Sequence, residues 1–228
     1  MKNPNPFSLK NNGTIILIYR IGAFILISLG LLASLRPFSV HPNPYSLFTY
    51  TIQSNLLVWS FFLFSIVQTI RKLSGQVNDR DFGFCSAFSF AVCIDIIVTF
   101  LIFWCYLAPS GWMKNSLLSF KNLSIHLFCP LLMVLDRILF YRKNVLKKKQ
   151  ILGILIFPLI YVIQSFVLGL THAVWFAPVG VHSYYMYPFL DLDAQGAMVF
   201  VYLIGLVAAF LGLSYLWYFL EQKAFKNK

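Results

Sequence analysis

Six long apolar runs divide this chain, and they constrain its fold more than any other feature. The runs cover residues 14–35, 47–70, 85–107, 122–141, 151–171 and 197–220. Each is close to the ~20 residues with which a helix crosses ~30 Å of hydrocarbon. Hydrophobic residues make up 59% of the 228 residues and charged residues 11%, a balance that a soluble protein could not bury. The sequence therefore predicts an all-α bundle of six transmembrane helices in one membrane domain, residues 1–228.

Most Lys and Arg residues lie before the first run, after the second and fourth runs, and after the last run. They are Lys2, Lys10, Arg71, Lys72, Arg80, Arg142, Lys143, Lys147, Lys148, Lys149, Lys223, Lys226 and Lys228. Cytoplasmic loops carry such a basic excess, so both termini are predicted to be cytoplasmic, in a multi-pass protein of the cell's inner (plasma) membrane.

The formal charge of +11 follows this basic excess and forms no stripe that would fit a nucleic-acid groove. We therefore expect membrane lipids, with their anionic headgroups, as partners and no nucleic acid. The oligomeric state is left open by the sequence.

The loop between the last two runs, residues 172–196, lacks Lys and Arg and is rich in aromatic residues. Trp and Tyr favour the headgroup layer of a bilayer, and long loops in compact domains are often functional. Two interpretations stay open: an aromatic belt along the outer interface, or a lid over a cavity.

Polar side chains recur at helical spacing on four of the runs. The stripes are Thr51, Asn55 and Phe62 with Ser54 beside them; Asp95, Thr99 and Tyr106; His126, Pro130, Met133 and Arg137; and Tyr161, Ser165 and His172. Each stripe alone is consistent with hydrogen bonds between packed helices. Together they predict a shared polar interior, the place where chemistry is expected in a membrane bundle.

Thr51 and His126 are predicted to lie at equal depth, because each falls roughly four residues, or about 6 Å, inside the outer end of its run. A histidine there could take the proton of a threonine hydroxyl as it attacks a carbonyl. Asn55 or Ser54 could then donate to the developing oxyanion. The alternative interpretation is a structural hydrogen bond without chemistry.

The remaining ionisable residues within the runs have structural alternatives. Asp95 is predicted near mid-membrane, where Arg20 could form a buried ion pair with it, and a proton relay is the other interpretation. Asp136 and Arg137 near an inner end could snorkel or pair. No compact ligand motif such as H-E-x-x-H occurs, so no metal site is predicted.

Several short motifs resemble, in their order, the androgen-induced membrane hydrolase family (the FAR/AIG type, ADTRP-like), and most closely its bacterial branch. They are Tyr50-Thr51-Ile52-Gln53-Ser54-Asn55-Leu56-Leu57, His126-Leu127-Phe128-Cys129-Pro130-Leu131-Leu132 with Leu135-Asp136, Pro158-Leu159-Ile160-Tyr161, and Tyr187-Pro188-Phe189-Leu190-Asp191. The resemblance covers most of the chain.

This resemblance implies a hydrolase of lipid esters, of the type in which a fatty acid esterifies a hydroxy fatty acid. Thr51 and His126 match the nucleophile and the histidine of the family. A two-residue shift of the alignment would select Thr49 instead. The chemistry implied needs no metal and no organic cofactor.

Two functions of other classes remain as alternatives to this hydrolase. One is a non-catalytic transporter or small-molecule binder with a proton-linked polar cavity around Asp95 and His126. The other is a scaffold in which the polar stripes only join helices.

Overall fold

The protein is an all-α membrane protein with six spans, as its apolar runs predict. The computed structural model describes residues 12–77, 82–109, 116–141, 146–177 and 181–226, which form no strand. Its long helices are α1 (Gly13–Leu35), α2 (Tyr50–Leu73), α3 (Ser86–Leu107), α4 (Phe120–Phe140), α5 (Lys148–Leu170) and α6 (Met198–Lys226). Each contains a stretch long and apolar enough to cross a membrane.

Helices α1 to α4 enclose the main core, and α5 and α6 pack against α3. Buried side chains from the first four helices, such as Ile27, Val58, Ile96 and Cys129, form one apolar cluster. Phe210 of α6 belongs to a second cluster shared with α3 and α5. The ends of α1, α3 and α5 and the starts of α2, α4 and α6 lie at one end of the bundle, below called the cavity end. The opposite end is called the terminal end.

Several of the basic residues that predict the orientation lie outside the described residues. They are Lys2, Lys10, Arg80, Arg142, Lys143 and Lys228. Arg71 and Lys72 are in the last turn of α2, and Lys148 and Lys149 in the first turn of α5, all at the terminal end.

The start of α2 differs from the prediction. Leu47 belongs to a short 3₁₀ helix, Pro44–Phe48, which begins at a proline whose ring sets a helical φ. Thr49 is then extended, with φ −78° and ψ 141°, and forms the N-cap of α2. Helix α2 therefore begins at Tyr50, and Thr51 lies in its first turn.

Two π-helical turns interrupt the regular helices near the cavity end. They cover Phe103–Leu107 at the end of α3 and Ser124–Phe128 in α4. A π turn holds more residues than an α turn, so it rotates the following side chains out of the 3.6-residue register. As a result Tyr106, predicted to share a face with buried Asp95, is 69% exposed.

Two buried ion pairs cross the terminal half of the bundle, and they correct the predicted pairing. Arg20 binds Asp136, with Nε 2.9 Å from Oδ1 and both side chains inaccessible, so the predicted Arg20–Asp95 pair is wrong. The reason is that α1 packs mainly against α2 and α4, away from the Asp95 helix. Arg137 binds Glu221 of α6 at 2.9 Å, so Asp136 and Arg137 are paired inside the bundle and do not snorkel.

Candidate functional site

Two cavities meet at the cavity end of the bundle. The polar cavity has a volume of about 360 Å³ and the apolar cavity a volume of about 280 Å³. Hydroxyl, amide, imidazole and ammonium groups line the first, and aliphatic and aromatic side chains from α3, α5 and α6 line most of the second. Four residues line both cavities: Thr51, Phe103, Leu107 and Tyr187.

Thr51 and His126 line the same polar cavity. Thr51 comes from the first turn of α2 and His126 from the π-helical turn of α4. Their offsets from the helix starts are unequal, contrary to the prediction, because α2 begins later than expected, at Tyr50, and α4 begins earlier, at Phe120. Helices α2 and α4 nevertheless both begin at the cavity end, so Thr51 and His126 line one cavity.

His126 is oriented by ring stacking and by its backbone. Its imidazole lies flat on Phe103, with ring centroids 3.5 Å apart and 8° between the planes. The indole Nε1 of Trp104 donates to the backbone carbonyl of His126 at 2.9 Å. Nδ1 of His126 is buried and meets no hydrogen-bond partner among the described residues. The imidazole is thus oriented by an aromatic ring on its face, and not by a carboxylate of the described part of the chain hydrogen-bonded to Nδ1.

Asn55 joins the two helices that carry this pair. Its Nδ2 donates to the backbone carbonyl of Thr51 at 2.8 Å and to that of Ile125 at 3.1 Å. Both amide hydrogens are therefore used, and the side chain is fully buried and lines neither cavity. The predicted role of Asn55 as an oxyanion donor does not fit this geometry. Asn55 instead positions the first turn of α2 against the residue before His126.

Ser54 also lies behind the cavities. Its hydroxyl is 3.0 Å from the carbonyl of Thr51 and 2.9 Å from the hydroxyl of Thr99 on α3. Ser54 is buried and lines neither cavity. Its contacts match the structural interpretation, a hydrogen bond between packed helices.

Thr49 and Thr51 differ in how their hydroxyls are used. The Thr49 hydroxyl donates to the carbonyl of Ser46 at 2.7 Å and accepts from the backbone N–H of Ile52 at 3.1 Å. These are the bonds of a helix N-cap, which satisfies a backbone donor at the helix start. The Thr51 side chain forms no cap bond of this kind among the described residues and instead lies beside Tyr187, which makes Thr51 the better candidate nucleophile.

Asp95 and Tyr161 lie deeper, beside the apolar cavity. Asp95 is buried, accepts a hydrogen bond from the Tyr50 hydroxyl at 3.1 Å, and lines neither cavity. Tyr161 lines the apolar cavity, and its hydroxyl donates to the carbonyl of Phe48 at 2.9 Å. The rings of Tyr50 and Tyr161 meet edge to face. Tyr50 and Tyr161 both line the apolar cavity, so Asp95 contacts a tyrosine of that cavity's wall and not the polar cavity.

His172 lies outside the site that its spacing predicts. Helix α5 ends at Leu170, and His172 follows it in a left-handed conformation with φ 52°. Its imidazole is exposed, stacks on Tyr184, and approaches Asp193 at 3.9 Å. The stripe through Tyr161 and Ser165 stops with the helix, so His172 lines neither cavity.

The aromatic loop before α6 forms one wall of both cavities. Met186 and Tyr187 line the polar cavity, and Tyr187, Phe189 and Leu190 line the apolar one. Residues 178–180 of this loop lie outside the described residues. The lid interpretation of the loop fits this placement better than a belt that only lies along the bundle surface.

Tyr187 is the functional candidate that sequence reasoning did not single out. Burial raises the pKa of its phenol, and hydrogen bonding with the Thr51 side chain and the nearby backbone opposes that rise without cancelling it. The hydroxyl therefore stays protonated beside Thr51. The sequence feature that could have pointed to Tyr187 is the concentration of aromatic residues in a loop without basic residues.

Comparisons with known proteins found no match for this chain. No family model, no curated protein and no solved structure matches it. Within the described ranges, no group of three or more His, Cys, Asp or Glu side chains is placed to hold a metal ion. Function is therefore inferred from the geometry of the two cavities.

Proposed function

We propose that this protein hydrolyses lipid esters, with Thr51 as the nucleophile and His126 as the general base. The observation that carries the proposal is the position of Thr51 at the junction of the polar cavity, which contains His126, and the apolar cavity. An ester bond at this junction would have its acyl chain on one side and its polar group on the other. The resemblance to the androgen-induced membrane hydrolases points to the same two residues and to esters of hydroxy fatty acids.

The apolar cavity suits an acyl chain that enters from the bilayer. Its wall includes Leu159 of α5 and Val207 of α6, which are 60% and 43% exposed on the bundle surface. A gap between these helices would admit a chain sideways, without passage through water. Burial of each methylene contributes about 0.8 kcal/mol, so the chain supplies much of the binding free energy.

The reaction proceeds through an acyl-threonine. The Thr51 hydroxyl oxygen attacks the ester carbonyl carbon while its proton passes to His126. The ester C–O bond then breaks, and the leaving alkoxide takes the proton from His126 and departs as an alcohol. Water, losing a proton to His126, attacks the acyl carbon, and the Thr51 oxygen regains that proton as the fatty acid leaves.

Tyr187 is the group best placed to stabilise the oxyanion in both steps. Its protonated hydroxyl lies beside Thr51 at the junction of the cavities. A hydrogen-bond donor fixed where negative charge develops lowers the barrier most when water is excluded. Asn55 has no hydrogen left for this task.

We further propose that the cavity end faces away from the cytoplasm in the plasma membrane. The basic residues at the ends of α2 and α5 lie at the opposite end, where the positive-inside rule places the cytoplasm. The substrate would then come from the outer leaflet. A cysteine introduced at Phe38, an exposed residue of the α1–α2 connection, should react with an impermeant maleimide on intact cells.

The transporter alternative requires Asp95 and His126 to act on one pathway. His126 lines the polar cavity, whereas Asp95 is hydrogen-bonded to Tyr50 and lines neither cavity. Their separation favours the hydrolase. A binder without turnover is an outcome of the experiment below.

The test is covalent trapping of the acyl-enzyme on protein purified in lipid nanodiscs. Incubation with long-chain nitrophenyl esters and with fatty acid esters of hydroxy fatty acids should release fatty acid. Intact-mass analysis after a rapid acid quench should show one added acyl group, mapped to Thr51 by fragmentation. Thr51→Val should abolish both signals, and Thr49→Val, the matched control, should retain them despite a weaker helix cap. Turnover that survives in both Thr51→Val and His126→Gln would refute the mechanism.

A further inference from the structure

The polar cavity contains an ammonium group that has no carboxylate partner among the described residues. Lys121 is the only residue with a formal charge among the described residues that line this cavity. Arg36, at the end of α1, lies close enough for the two charges to repel each other. No described carboxylate lies within 4.0 Å of either side chain. Placing a half-buried cation beside a second cation is unfavourable unless an anion joins them.

Two helix starts add to the positive potential of this cavity. Thr49 is the N-cap of α2, and Ser119 is the N-cap of α4, one turn before the π-helical segment. The polar cavity is lined by residues of both first turns, Thr51 and Lys121 among them. Helix N-termini carry partial positive charge and favour anions. The electrostatic potential of the polar cavity is therefore positive, and a ligand group of matching charge would be an anionic oxygen group.

The remaining polar groups suit a headgroup that itself carries hydroxyls. Ser34 and Ser46 line the cavity, and each donates its hydroxyl proton to a backbone carbonyl, at 2.9 and 2.7 Å. Their oxygens can still accept hydrogen bonds. The Nδ1 atom of His126 is a further buried polar atom in this wall with no partner among the described residues.

We propose that the polar cavity binds the short, hydroxylated, anionic headgroup of a single-chain lipid, with Lys121 as the residue that selects the negative charge. The acyl chain of the same molecule occupies the apolar cavity. A glycerol phosphate ester of one fatty acid has this arrangement, because only a short polar segment separates its anion from its ester. The position of that ester at Thr51 rests on the proposed hydrolase function, whereas the binding of the headgroup does not.

The experiment uses ether lipids, which bind without being cleaved. Binding of 1-O-hexadecylglycerol 3-phosphate and of neutral 1-O-hexadecylglycerol is measured by native mass spectrometry of the full chain in detergent. The wild-type protein should bind the phosphate form about tenfold or more tightly, as expected for a charge-assisted hydrogen bond. Chain-free glycerol 3-phosphate should bind more weakly by a similar factor or more, which distinguishes a lipid headgroup from a free phosphate.

Variants separate the charge of Lys121 from its effect on folding. Lys121→Met should bind both ether lipids equally and retain the affinity for the neutral one, while Lys121→Arg should retain the preference. Lys149→Met, which removes an exposed lysine at the terminal end, is the matched control and should behave as wild type. If Lys121→Met unfolds, Lys121→Gln replaces it as the uncharged variant.

Equal binding of the two ether lipids to the wild-type protein would overturn the headgroup site. So would a preference that persists without the charge of Lys121, or binding of glycerol phosphate as tight as that of the lipid. A Lys121-dependent preference in a protein that cleaves no ester would uphold the headgroup site and refute the hydrolase. Ester cleavage without any headgroup preference would support the hydrolase and refute the headgroup site.

Discussion

Phe103 and His126 lie face to face across the α3–α4 interface, with ring centroids 3.5 Å apart. Each ring is carried by a π-helical turn, and both turns lie at the cavity end of the bundle. π turns inside helices are frequent at functional sites, because the extra residue redirects side chains and backbone groups. Here the two turns orient an imidazole that has no carboxylate partner among the described residues.

Replacement of Phe103 by leucine tests this orienting role. Stacked rings contribute about 0.5–1.5 kcal/mol, so kcat should fall about 2- to 12-fold in Phe103→Leu while KM changes little. Single-turnover acylation of Thr51 should slow by the same factor. Phe100→Leu, on the same helix but lining neither cavity, is the control and should leave kcat unchanged. A wild-type acylation rate in Phe103→Leu would show that the stack has no part in catalysis.

Tyr187→Phe removes the proposed oxyanion donor and little else. Loss of one such donor lowers kcat by about 10²- to 10³-fold, and the same loss is expected here. Because the pKa of Tyr187 is raised above its usual value of about 10, its ionisation should cause no loss of rate between about pH 7 and 9. Tyr184→Phe, in the same loop, should have wild-type kinetics. Turnover equal to wild type in Tyr187→Phe would assign oxyanion stabilisation to another group.

The six spans could be predicted from the sequence because the bilayer itself sets the length of each apolar run. Side-chain placement could be predicted only where the helices are regular. Pro130, Met133 and Arg137 lie in the regular part of α4, Cys129–Phe140, and all three are buried as their stripe predicts. Tyr106 and His172 were misplaced because a π turn and a helix end break the 3.6-residue period.

Pairing between helices could not be predicted, because local sequence does not specify which helices are neighbours. Arg20 was predicted to pair with Asp95, and only the packing of α1 on α4 selects Asp136. The role of Asn55 was misjudged for a related reason. An amide on the inward face can donate to a substrate or to a backbone, and the nearby carbonyl of Ile125 decides the matter.

Breaking the buried Arg20–Asp136 pair should lower the stability of the protein, whereas replacing both partners together should change stability little. Removing one partner leaves an uncompensated buried charge, so Arg20→Met or Asp136→Leu alone should lower the free energy of unfolding by about 3–5 kcal/mol. The double variant should recover most of that loss, since both charges are then gone. Thermal unfolding in detergent measures all three. Arg71→Met, which removes an exposed arginine, should change stability by less than about 0.5 kcal/mol.

Gly169 permits the contact that fixes the lid-like loop on α5. A Cβ at this position would overlap the ring of Tyr185, which is fully buried two residues before Tyr187. Gly169→Ala should therefore lower stability by about 1–3 kcal/mol, the usual range for overpacking. It should also lower turnover, because displacement of the Tyr185 ring moves Tyr187 away from Thr51.

Gly22→Ala is the matched substitution on α1, where a Cβ meets nothing within 4 Å. It should raise stability by up to about 1 kcal/mol, since alanine is the better helix former, and leave turnover unchanged. The two alanine variants are thus expected to move the unfolding temperature in opposite directions. The double change Gly169→Ala with Tyr185→Leu should restore part of the stability by making room for the methyl group. If Gly169→Ala unfolds at the wild-type temperature with full turnover, then the packing of Tyr185 on α5 does not position the wall of the site.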